Sequence, residues 1–163
     1  MKFSSIKEFF YKLQSMCYAF LLLPLGILIA LYAVPQLLIT PFWIEDEDTI
    51  QLLLTLFPLI ALVELTTVHW AIGTKLKIIS TMPSLGDRLD RYVPLAFIRT
   101  GSAVFVSLLM LTGVFLTGNL WFTGYTVMML VIIFLQRPTP SSVSSQLQLK
   151  GNEKELIMKG ELV

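Results

Sequence analysis

Glu64 and His69 stand in the stretch "ALVELTTVHWAIG", inside a run that is otherwise apolar for more than twenty residues. A carboxylate and an imidazole are the groups that move protons or hold cations, so this pair is where chemistry is sought first. On a helix turning 100° per residue, their five-residue spacing sets them about 140° apart, and they do not face each other. Glu64 shares its face with Phe57, Ile60, Thr67, Val68 and Ala71, so its polar partner is expected from another helix. Arg99 is the natural choice. It lies just inside the next apolar run, on a face that also carries the small residues Ala96, Ala103, Gly113 and Thr117, which lets a neighbouring helix approach. The expected intramembrane polar site therefore comprises Glu64, Arg99, His69 and Thr67, with a buried Glu64 to Arg99 pair at its centre. Such a pair can relay protons or cations, anchor a polar head group, or fix helix register as a salt bridge. His69, next to Trp70, reads as an interface residue rather than a catalyst.

Other chemistry is poorly supplied. One cysteine, Cys17, allows no intramolecular disulfide, and one histidine leaves no His/Cys cluster for zinc. The acidic loop Glu45, Asp46, Glu47, Asp48 lacks the alternating ligands, turn glycine and distal glutamate of a calcium loop. No phosphate-binding lysine loop, Gly-x-Ser-x-Gly turn or His-Glu-x-x-His helix is present. No catalytic residue, metal or cofactor is assigned, and a net charge of +1 does not point to nucleic acid.

The elements that position these residues follow from composition. The chain has 163 residues, 55% hydrophobic and only 14% charged, against about 25% charged in a soluble domain. An all-α integral membrane protein is expected, a four-transmembrane-helix bundle with spans at about 16–40, 50–74, 94–117 and 120–136 in a membrane domain of 16–136. Pro24 and Pro35 fall inside the first span, which reads as a retained signal anchor because its apolar run exceeds that of a cleaved signal. Every lysine and arginine lies before span one, between or just inside spans two and three, or after span four, which places both termini in the cytoplasm. Phe42, Trp43, Trp121 and Phe122 mark the outer interface, and Trp70 and Tyr92 the inner one.

The flanks add detail. Residues 1–15 read as an amphipathic surface helix, with Phe3, Ile6, Phe9, Phe10 and Leu13 on one arc and a Ser5/Glu8 capping box. Lys2, Lys7, Lys12, Lys75, Lys77, Arg88 and Arg91 are the candidate membrane-surface contacts, favouring anionic lipid. The short cytoplasmic tail, 137–163, opens with the helix-stopping Pro138 and Pro140. It offers a short helix capped by Asn152 and ended by Gly160, and it frays, docks on a partner or docks on the inner faces of the bundle.

The loop "MPSLGDRLDRYVPL" resembles the loop between spans two and three of major facilitator transporters. Leu85, Asp87, Arg88 and Arg91 match, whereas Pro83, Asp90 and Tyr92 depart from the pattern. Four spans cannot build that twelve-span fold, so no functional residue carries over. Asp87 as a helix cap and Arg88 and Arg91 as leaflet anchors explain the same letters. Gly86, Asp87 and Asp90 also resemble the end of the metal signature of lipid alcohol phosphotransferases, without its earlier elements.

Three functions fit these readings. The first is a non-enzymatic accessory or scaffold subunit in an inner or plasma membrane, contacting the bilayer and a membrane-protein partner or further copies of itself. The others are a small oligomeric transporter or channel with Glu64 as its titrating group, and a lipid-modifying enzyme. Sparse polar groups in the spans favour the first.

Overall fold

Ser5 starts the first helix by accepting the Glu8 backbone N–H on its hydroxyl, 3.1 Å away, as half of the expected capping box. In the computed structural model, which describes residues 5–33 and 44–160, the helix continues without a break as α1, Ile6–Ala33. Phe3, Lys2, Pro35, Phe42 and Trp43 lie outside the described residues. α2 spans Glu47–Ser80, α3 Leu85–Thr117, α4 Leu120–Leu135, α5 Pro140–Gln146 and α6 Gly151–Lys159. α1, α2 and α3 are long and apolar enough to cross a membrane. α4 continues after a short break into α5 with an 82° bend, and this pair makes a fourth crossing if counted as one span.

α3 is the hub: α1, α2 and α4 each pack on it, and 61% of its most apolar stretch is buried against 6% of that of α2. The α3–α4 connection is two residues long. Gly118 ends α3 in the left-handed region at φ 63°, and Asn119 then caps α4 by accepting the Trp121 N–H at 2.9 Å. Opposite, Asp46 caps α2 by accepting both the N–H and the hydroxyl of Thr49. The Ile44 N–H donates to the Leu116 carbonyl at 3.3 Å, which holds the start of α2 beside the end of α3.

The helices are therefore flush at this far end, and their unequal lengths appear at the end that carries residues 5 and 160. At 1.5 Å per residue α4 is about 24 Å long, whereas α2 and α3 are each about 50 Å, well beyond a hydrocarbon core of about 30 Å. Arg99 Nη2 donates to the Gln136 carbonyl at the end of α4, so the fourteen residues of α3 before Arg99 project past it. Hydropathy reports the apolar stretch and not the helix, which is why the spans expected at 50–74 and 94–117 sit within longer helices. Ser84, not Asp87, caps α3: its hydroxyl accepts the Asp87 N–H, and Pro94 is interior.

These overhangs and the tail form a second core. Ile6, Phe9, Phe10 and Leu13 of α1, Ile72 and Ile79 of α2, and Leu89, Tyr92 and Leu95 of α3 bury against Val143, Leu147, Leu149 and Ile157. The apolar arc expected to lie in the leaflet is thus covered by protein, Phe9 completely. A separate surface helix over 1–15 is replaced, over its described part, by the first turns of α1. The tail docks on the bundle. α6 starts at Gly151 with Lys150 at the cap position, two residues before the expected cap Asn152, and ends at Gly160, φ 73°, where a β-carbon would stand 3.1 Å from Lys7 Cγ.

The far-end core centres on Phe122, fully buried among Val106, Met110, Val114, Met129 and Ile133 and tilted against Phe57 with ring centroids 5.5 Å apart. Gly113 makes that position possible, since a β-carbon there would fall 2.5 Å from the Phe122 ring.

Candidate functional site

The expected Glu64 to Arg99 pair does not form. Glu64 Oε2 instead accepts the hydroxyl of Ser102, one turn further along α3. Arg99 turns the other way, donating from Nη2 to the Gln136 carbonyl at 3.2 Å and from Nη1 to the Gln146 side-chain carbonyl at 3.3 Å. Helical side chains lean toward the N-terminus of their own helix. α3 starts at the tail end and α2 at the far end, so a long Arg99 runs toward the tail and Glu64 leans away from it. Depth and reach suggested a pair; the antiparallel directions of the two helices separate it.

Gln146 gathers the tail onto α3. Its carbonyl oxygen accepts from the Tyr92 hydroxyl at 3.0 Å as well as from Arg99, and its amide nitrogen donates to Ser142 Oγ at 2.9 Å. A second clamp fixes α6: Arg88 Nη1 and Nη2 donate to the two oxygens of Glu153 at 2.9 and 3.2 Å, and Arg88 Nε donates to the Met82 carbonyl. Only 11% of the Arg88 side chain is exposed, so this residue is a tail clamp and not a free leaflet anchor. Among the other candidate surface contacts, Lys7, Lys75, Lys77 and Arg91 are exposed, and Lys12 is exposed while paired with Glu8 at 2.6 Å. Lys2 lies outside the described residues.

Beside Arg99, a cleft of about 480 Å³ lies between α2, α3 and α4, lined by His69, Trp70, Ser102, Ile132 and Gln136 among others. His69 of α2 and Arg99 of α3 both line it, and it reaches Glu64 through Ser102. Thr67 is not part of it: the residue is exposed and its hydroxyl returns to the Val63 carbonyl of its own helix at 2.7 Å. Arg99 Nε and Gln136 Oε1 are buried with no hydrogen-bond partner, as is Ser107 Oγ in the far-end core. Among the described residues Arg99 forms no ion pair with a carboxylate. No group of three or more His, Cys, Asp or Glu among those residues could hold a metal ion.

Ser102 was visible as one of the few polar residues of the third span. Gln136 stands at the junction of an apolar run and Pro138. Gln146 and Glu153, in a polar tail, carried no signal, because their roles depend on where the tail folds back.

Fold and site together define a small all-helical protein with hydrophobic helices of membrane-crossing length, consistent with a multi-span bundle. No protein-family model matches the chain, and no curated protein or solved structure is significantly similar to it.

Proposed function

We propose that the chain is a non-enzymatic multi-pass membrane protein, with its termini in the cytoplasm, that serves as an accessory or scaffold subunit of a membrane complex. The observation that carries this reading is the contrast between α3 and α2. α3 is buried along most of its length, whereas of the 34 residues of α2 only Ala61, Ile72 and Ile79 are buried. The exposed surface of α2 is unlike that of a purely lipid-facing helix: Thr66, Thr67, His69 and Thr74 stand around it, and nothing lies within 4 Å of a β-carbon placed on Gly73. Small and hydroxyl-bearing residues are what helices use to meet one another in a bilayer. The clamped tail adds a folded platform at the cytoplasmic end.

The test is site-specific photocrosslinking in cells from Leu62 on α2, 64% exposed, with Leu22 on α1, 62% exposed, as the control. An unlike membrane protein joined from Leu62 and not from Leu22 is the expected result. Lipid alone at both positions, or only further copies of the chain, would overturn the reading.

The transporter reading has one observation in its favour, the link from the cleft through Ser102 to Glu64. It requires proton-coupled flux in liposomes containing only this protein, abolished by Glu64→Gln.

A further inference from the structure

The cleft beside Arg99 has a charge and an address. The guanidinium is bonded to a backbone carbonyl and an amide oxygen, both neutral, and its buried Nε–H has no acceptor. A half-buried cation with neutral partners only keeps part of its desolvation cost, and an anion in the adjacent space offsets it. His69 stands on the same cleft, and the Glu64 carboxylate is engaged by Ser102. The lining also includes the apolar Leu65, Val68 and Ile132.

Its level in the bundle narrows the class of anion. Arg99 is bonded to the last turn of α4, where the apolar run of that helix ends, and Trp70, 72% exposed, stands at the rim of the cleft. An exposed tryptophan at the end of an apolar span is the pattern of the membrane interface, the depth of lipid phosphates. We infer that this cleft binds the head group of an anionic phospholipid, its phosphate against Arg99 and His69 and the start of its acyl chains along Ile132 and Val68. The inference does not depend on the subunit reading.

The experiment is native mass spectrometry of the purified protein titrated with phosphatidylglycerol and phosphatidylcholine, and separately with inorganic phosphate. The parent should bind one phosphatidylglycerol in preference to phosphatidylcholine. Loss of a charge-assisted contact in Arg99→Gln should weaken that binding by about tenfold or more, while Lys154→Gln, at an exposed position of α6 that does not line the cleft, leaves it unchanged. Because Arg99 also holds the tail, Ile132→Trp is the second variant: it puts a bulky ring where the acyl chains are proposed to start, at a residue that takes no part in the Arg99 hydrogen bonds. It should lose the lipid with the tail as protease-resistant as in the parent. Equal retention of the two lipids, or lipid binding undiminished in Ile132→Trp, would overturn the inference. Displacement of phosphatidylglycerol by millimolar phosphate would show a site for the free anion and overturn the lipid assignment.

Discussion

Glu153→Ala should loosen the tail by a measurable and limited amount. The substitution removes two charge-assisted hydrogen bonds, at 2.9 and 3.2 Å, from an Arg88 side chain that is 11% exposed. Hydrogen bonds to charged groups contribute about 1.5 to 3 kcal/mol, and since the Glu153 side chain is 34% exposed the lower part of that range applies, about 2 kcal/mol. Arg88 keeps the Met82 and Pro83 carbonyls, so it is not stranded. Against this loss stand the buried side chains of Val143, Leu147, Leu149 and Ile157, at roughly 1.5 to 3 kcal/mol each as an upper estimate. Burial wins, and the tail stays docked but opens more often. With about 1.4 kcal/mol per tenfold, amide exchange in α6 should accelerate by about 30-fold, with α3 beyond Arg99 unchanged. Hydrogen exchange read by mass spectrometry measures both regions. Parent-like exchange in α6 would show that the pair contributes nothing, and acceleration throughout α3 would show that the tail and bundle unfold as one unit.

Gly113→Ala should lower the thermal stability of the detergent-solubilised protein, by about 1 to 3 kcal/mol for an overpacked core, and Phe122→Leu in the same chain should recover part of it; a parent-like Gly113→Ala would contradict the packing of Phe122 on α3. Ser102→Ala removes the hydroxyl donor from the Glu64 carboxylate and should cost about 1 to 3 kcal/mol in the same melt, whereas Glu64→Gln keeps an acceptor for Ser102 and should melt within about 1 kcal/mol of the parent. Reversal of that order would show that Glu64 does not depend on Ser102. The bonds from Thr49 hold the Asp46 carboxyl below the usual carboxylate range. Because the folded value is the lower one, the cap is fully effective above an unfolded value near pH 4 and is lost as pH falls through the folded midpoint. A carboxyl shift titration by NMR should therefore give a midpoint below about 3.9, rising in Thr49→Ala; a midpoint at or above it would remove the cap. A membrane-impermeant thiol reagent on intact cells should label a cysteine introduced at exposed Glu45 and miss one at exposed Ser145; labelling of Ser145 would invert the proposed orientation.

Much of the fold was legible in residue pattern. Apolar runs located the long helices, Gly118 and Asn119 mark a helix end and start that local chemistry explains, and Gly160 ends α6 where expected. Helix lengths were not legible, because hydropathy counts polar residues as loop: Ser84 starts α3 well before its apolar run, and α2 continues through Lys75 and Lys77 to Ser80. The amphipathic pattern of Ile6, Phe9, Phe10 and Leu13 was real, but pattern alone does not say whether lipid or protein covers an apolar arc. For the polar residues, position was legible and pairing was not. Glu64, His69 and Arg99 do lie around one cleft and its border, yet the pairing depends on which way each side chain leans, and that follows from helix direction in space. Arg88 and Arg91 carried the same letters and the same expectation; a tail that folds back made the first a clamp and left the second exposed.

The most direct test of the accessory-subunit account is the mass of the protein excised from its own membrane with the surrounding lipid, without detergent exchange. The account predicts particles whose protein mass is a whole multiple of the 18.4 kDa chain plus that of an unlike subunit, and loss of that subunit when Leu62 on the exposed surface of α2 is changed to Arg. Particles made only of this chain, unchanged by that substitution, would contradict it.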